Sequence, residues 1–142
     1  MLPYARAMCR SLLAAIALAV IAAGLAVHTL APAGVLSDAT GDALYAALIY
    51  LLVAFIVPRW PSWASGSAAL AWCIAVELFQ LTGLPEQWGA AFRPLMLVFG
   101  TVFSALDLVF YAMGVVCAAA IDGGIRAARR RASALSASRP SR

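Results

Sequence analysis

The sequence predicts an all-α integral membrane fold: a four-helix bundle with a short interfacial or re-entrant segment before its fourth helix. Three observations lead there. Of 142 residues, 65% are apolar and 11% are charged, against about 45–50% and about 25% in a soluble domain. The apolar residues gather into four long runs, most of them near the ~20 residues that cross the hydrocarbon core. Between the runs stand Pro, Gly and Trp, which stop helices and anchor them at the membrane interface.

The first span is expected at residues 11–30, where Ser11, Gly24, His28 and Thr29 are the only non-aliphatic members. It ends at Ala31-Pro32-Ala33-Gly34, because Pro removes a backbone donor and Gly admits a turn. Arg6 and Arg10 ahead of an apolar run suggest a signal peptide, but the run exceeds the usual ~7–15 residues and Pro32 spoils the cleavage triplet. An uncleaved helix is therefore expected. After a short polar loop containing Asp38, the second span covers residues 43–57 and stops at Pro58-Arg59-Trp60-Pro61. Fifteen residues rise only ~22 Å, which places Asp42 and Trp60 close to the two interfaces.

The third span is expected at 65–84, closed by Pro85, with Trp60, Trp63 and Trp88 as anchors. Residues 94–121 would make one helix of ~42 Å, longer than the ~30 Å core, so it must break. Gly100-Thr101 is the natural break. It leaves 95–99 as the interfacial or re-entrant piece and 103–121 as the fourth span. Residues 1–125 thus read as one membrane domain and 126–142 as a basic, disordered cytoplasmic tail.

All ten positive residues are Arg, and the net charge is +4. With four spans, Arg6, Arg10, Arg59, Arg126, Arg129, Arg130, Arg131, Arg139 and Arg142 fall on one side and Arg93 alone on the other. The positive-inside rule then puts both termini in the cytoplasm, in a bacterial inner membrane. The basic tail lacks interleaved aromatics and directly follows a span, so it points to lipid and not to nucleic acid. Cys9, Cys73 and Cys117 form no CxxC or Cys/His spacing, so neither a disulfide framework nor a zinc site is expected. No cofactor is expected either.

The polar residues within the spans converge on the end opposite the Arg cluster. His28 ends the first span, Asp42 opens the second, Glu77 and Gln80 lie near the end of the third, Arg93 follows, and Asp107 opens the fourth with Tyr111 one turn on. A charged group at membrane depth costs about 2.5–3.5 kcal/mol on insertion scales, so carboxyls retained there imply packing or chemistry. Glu77, Gln80, Arg93 and Asp107 are the expected polar site, with Arg93 as charge partner; Asp42, His28 and Tyr111 are weaker members.

Gly41-Asp42-Ala-Leu-Tyr-Ala-Ala-Leu-Ile-Tyr50, Glu77-Leu-Phe-Gln80, Arg93 and Gly100-Thr-Val-Phe-Ser-Ala-Leu-Asp107-Leu-Val-Phe-Tyr-Ala-Met-Gly114 follow one another in a suggestive order. In that order and spacing the chain resembles a small bacterial membrane family of unknown function, related in pattern to the VanZ-like proteins. That resemblance implies work at the outer envelope and supplies no reaction. Phe-Ser-Ala-Leu-Asp107 lacks the aromatic that usually precedes the Asp in VanZ-like proteins, which argues against a role in glycopeptide resistance.

The expected function is a non-enzymatic envelope-associated module whose outer polar site takes a lipid headgroup, a cell-wall precursor or a partner protein. A small proton-coupled transporter using Glu77 and Asp107 is the alternative. An intramembrane hydrolase is disfavoured by the single His and by the absence of Gly-x-Ser-Gly or His-x-x-x-His spacing. The expected partners are the bilayer, an envelope lipid or membrane protein, and further copies of the chain. A periplasmic reporter fused after Arg142 should be silent and one inserted near Ser37 active; the reverse pattern would reject this topology.

Overall fold

A computed structural model describes the chain from Pro3 to Gly100 and from Val102 to Ala137, with side chains described from Arg10 to Ser136, Thr101 excepted. Six helices follow one another: α1 (Pro3–Leu30), α2 (Val35–Ile56), α3 (Ser62–Gln80), α4 (Leu84–Ala91), α5 (Pro94–Phe99) and α6 (Ala105–Ala137). No strand occurs among the described residues. Segments of α1, α2, α3 and α6 are long and apolar enough to cross a bilayer, and the chain is a multi-pass membrane protein.

Each helix extends beyond its expected span or is cut short for a local reason. The expected polar loop around Asp38 is the first turn of α2, where a carboxylate meets the positive end of the helix dipole. The Ser37 hydroxyl donates to the Pro32 and Gly34 carbonyls at 2.9 and 2.7 Å and fixes the turn ahead of it. At the same end of the core, α3 stops at Gln80, before Pro85. Gly83 takes a left-handed φ of 70°, and Pro85 then serves in the first turn of the separate helix α4, where its missing N–H costs nothing. Helix α4 is not expected from the sequence, which marks this stretch only by Pro85 and Trp88. The short α5 and the break at Gly100 occur as expected.

The basic tail is the largest departure. Residues 126–137, expected to be disordered, continue α6, which has 33 residues and is ~50 Å long. Ala and Arg are strong helix formers, and lengthening an existing helix needs no new nucleus, so the run Arg126–Arg131 extends α6 beyond the bilayer. The remainder of the expected tail, 138–142, lies outside the described residues.

The core is a three-helix unit of α2, α3 and α6, with α1 packed on α2 alone among the described elements. Small residues make the close contacts, as membrane helices require when lipid is as apolar as Leu. On α3 the buried face is Ser65, Gly66, Ala69, Cys73, Val76, Glu77 and Gln80, recurring at three- and four-residue steps. Ala46, Tyr50 and Ala54 of α2 and Tyr111 and Val115 of α6 close over it. No described side chain of α1 is buried, and its Leu12, Ile16, Leu18, Ile21 and Leu25 are exposed to lipid.

The tightest crossing is Gly114 of α6 against Ala43 of α2. A Cβ at Gly114 would collide with the Ala43 carbonyl and lie 2.9 Å from its Cα, so the helices would have to separate. Gly114→Ala should therefore destabilise the fold by about 1–3 kcal/mol, the usual cost of overpacking. Gly124→Ala, with nothing within 4 Å, should be neutral or stabilising. Thermal unfolding of the two variants in one detergent checks the order.

Candidate functional site: a carboxyl cluster and the latch beneath it

Between α5 and α6 the backbone leaves the helix, and its N–H and C=O groups lose their helical partners. In hydrocarbon each unsatisfied group costs several kcal/mol, so irregular backbone survives there only when protein groups satisfy it. Side chains from α2 and α3 do so. The Tyr45 hydroxyl donates to the Val98 carbonyl at 2.8 Å, and the Gln80 amide donates to the Phe99 carbonyl at 2.7 Å. The Ser104 N–H donates to Glu77 Oε2 at 3.1 Å. Gly100, with φ 63°, lets the chain turn between them, and a Cβ there would lie 2.5 Å from Gln80 Nε2.

Glu77 is 0% exposed. Its second oxygen, Oε1, accepts the Tyr111 hydroxyl at 2.9 Å, so both carboxylate oxygens are occupied by neutral donors. Tyr111 stacks at a tilt on Tyr45, with 6.0 Å between ring centroids, and the Trp72 indole N–H donates to the Tyr45 hydroxyl at 3.1 Å. Glu77, Gln80 and Tyr45 thus form a latch that holds the α5–α6 connection against α3. Gln80 is also buried, and its Oε1 meets no donor among the described residues.

Beside the latch, the Asp42 carboxyl lies within hydrogen-bonding reach of the Asp107 carboxyl, with Glu77 close enough to act on it electrostatically. The Tyr111 hydroxyl is near enough to interact electrostatically with all three. The structure therefore gathers Asp42, Glu77, Asp107 and Tyr111, and sets Gln80 one turn along α3.

It does not gather Arg93 or His28. Arg93 is exposed at the start of α5 and makes no ion pair with Glu77 or Asp107, so the expected Arg partner is replaced by the Tyr111 hydroxyl and the Ser104 N–H. The α4–α5 excursion places Arg93 outside the three-helix core. His28 is exposed near the end of α1, which among the described elements touches α2 alone. Among the described residues no three His, Cys, Asp or Glu side chains converge in a way that could hold a metal ion.

A second polar assembly, at the Arg-rich end, escaped the sequence reading. The Tyr50 hydroxyl donates to Asp122 Oδ2 at 2.6 Å, and Arg126 Nε donates to the two Asp122 oxygens at 2.9 and 2.8 Å. Arg126 Nη1 reaches on to the Trp60 carbonyl at 2.9 Å, and Ser62 lies close enough to hydrogen-bond both Tyr50 and Asp122. The signal was the four-residue spacing of Asp122 and Arg126, which puts them on one helix face.

Residues 31–115 match the model of a family described as "Protein of unknown function (DUF2809)". The match covers more than half of the chain. The chain belongs to this family. The matched stretch holds every member of the carboxyl cluster and latch, and it ends before Asp122 and Arg126. No curated protein and no solved structure matches the chain. The likeness to VanZ-like proteins rests on the motifs alone.

Glu77→Ala should free the Ser104 N–H and the Tyr111 hydroxyl at about 1–3 kcal/mol for each buried group left unsatisfied. Glu77→Gln should cost less, because its carbonyl accepts one donor and its amide can donate to the Tyr111 oxygen. Unfolding temperatures should fall in the order wild type, Gln, Ala, and the Ser104 amide should exchange fastest in the Ala variant. Equal protection of that amide in all three proteins would remove Glu77 from the latch.

Proposed function

We propose that this is a non-enzymatic module of the bacterial inner membrane whose paired carboxyls, Asp42 and Asp107, capture a donor-bearing cationic group at the outer face. The group meant is an ammonium, such as that of a lipid headgroup or a cell-wall precursor. The observation that carries the reading is the division of labour among the three carboxyls. Glu77 is buried with both oxygens occupied inside the protein, whereas Asp42 and Asp107 face each other, are only half-buried, and pair with no Arg among the described residues. Two carboxyls at that spacing repel when both are ionised, and a cation between them relieves the repulsion. The arginine asymmetry supports an outward-facing cluster, and the VanZ-like motifs support an envelope role.

A proton-coupled carrier is the second reading, favoured by the same pair, since adjacent carboxyls at membrane depth commonly hold and pass a proton. It uses Asp42 and Asp107 and leaves Glu77 as the fixed end of the latch.

Lipid-resolved native mass spectrometry separates the readings. Wild-type protein should retain phosphatidylethanolamine over phosphatidylcholine of the same chains, because only the former ammonium carries N–H donors. Asp42→Asn with Asp107→Asn should lower that retention about tenfold, the equivalent of one charge-assisted hydrogen bond. Unchanged retention would reject the ammonium site. Proton flux in proteoliposomes that wild type supports and Asp107→Asn abolishes would establish the carrier instead.

A further inference from the structure

At the Arg-rich end, the turn between α2 and α3 faces α6 across a cleft of about 310 Å³. Its walls carry Arg59 and Trp60 from the turn and Arg126 and Arg130 from α6, and Ser62 and Gly123 also line it. These groups differ in what already occupies them. Arg126 is engaged with Asp122 and the Trp60 carbonyl, and in that role it ties α6 to the turn and fixes the shape of the cleft. Asp122, the carboxylate nearest the cleft, is itself covered by Arg126 and Tyr50. Arg59 and Arg130 are exposed, and their guanidinium groups make no hydrogen bond or ion pair among the described residues.

We propose that this cleft binds a phosphate ester, held between the guanidinium groups of Arg59 and Arg130. Guanidinium forks match phosphate oxygens two by two, which a single ammonium cannot do. Gly123 leaves one part of the wall without a side chain, beside the Ser62 hydroxyl. The half-exposed Trp60 indole offers an apolar neighbour suited to a glycerol or acyl stem at the membrane interface. The chemistry is that of a phosphate mono- or diester. Its source is either the headgroup of an anionic phospholipid or a free phosphate ester in solution.

The site is independent of Asp42 and Asp107 and uses other residues at the other end of the core, so either proposal can fail alone. The test is native mass spectrometry of the full chain with phosphatidylglycerol, with phosphatidylcholine of the same chains, and with glycerol phosphate as a soluble competitor. Wild type should retain phosphatidylglycerol over phosphatidylcholine. The pair Arg59→Gln and Arg130→Gln should lower that retention about tenfold. Arg131→Gln removes the same charge from α6 outside the cleft and should leave retention unchanged.

Gly123→Leu fills the cleft while keeping every Arg. A Cβ there would lie 3.5 Å from Ser62 Oγ, an ordinary contact, so the first carbon of the new side chain requires no helix shift. It should lower retention as much as the double Arg variant, with the wild-type unfolding temperature kept. Displacement of the lipid by glycerol phosphate would assign the site to soluble esters, and failure to displace it would assign it to the headgroup; both keep the phosphate chemistry. Equal loss with Arg131→Gln would mean a diffuse basic surface and overturn the proposal. Wild-type retention in a folded Gly123→Leu protein, or no preference over phosphatidylcholine, would overturn it as well.

Discussion

Hydrocarbon does not hydrogen-bond, and this single constraint organises the polar residues of the core. A chain that breaks its helix between Phe99 and Ala105 within the bundle must find other partners for the backbone it exposes. Tyr45, Glu77 and Gln80 supply them, each from a helix that is itself complete. The two α3 residues are three apart, so one face of one helix grips the connection at two points. Gly100 permits the turn that both require. The buried carboxylate of Glu77 is thereby a structural group first, and its Tyr111 partner carries the constraint into α6.

The same constraint explains why the core is built from small residues. The α2–α6 crossing at Ala43 and Gly114 brings backbones together closely enough to set Asp42 against Asp107. A bulkier residue at 114 would separate the helices and with them the two carboxyls. Packing at one position therefore controls electrostatics about two turns away along α6, and the latch and the acidic pair depend on the same helix contacts.

The two ends of the molecule solve opposite problems. At the Arg-poor end, carboxyls are brought together, and the buried one, Glu77, is satisfied by neutral donors. At the Arg-rich end, one carboxylate, Asp122, is saturated by Tyr50 and Arg126, and this internal pairing leaves other guanidinium groups facing a cleft. Continuing α6 as a rigid helix makes that arrangement possible. A disordered tail would have left Arg130 without a fixed position relative to Arg59.

The membrane class, the four spans, the break before the fourth, and Glu77, Gln80, Asp42, Asp107 and Tyr111 as polar residues at one end were all legible in the amino-acid order. Those follow from hydropathy, chain length and residue spacing, which are local properties. Three things were decided by tertiary structure. Arg93 is not the partner of Glu77, because α4 and α5 place it outside the core and a tyrosine and a backbone amide take its place. Residues 126–137 are helical because they extend a helix already formed, which a charge run read alone does not reveal. Asp122 is a site residue only because α2, 72 residues away in sequence, presents Tyr50 to it. Such pairings depend on which helix faces cross, and in a bilayer that choice is made by close packing of small residues and not by the hydrophobicity that marks the spans.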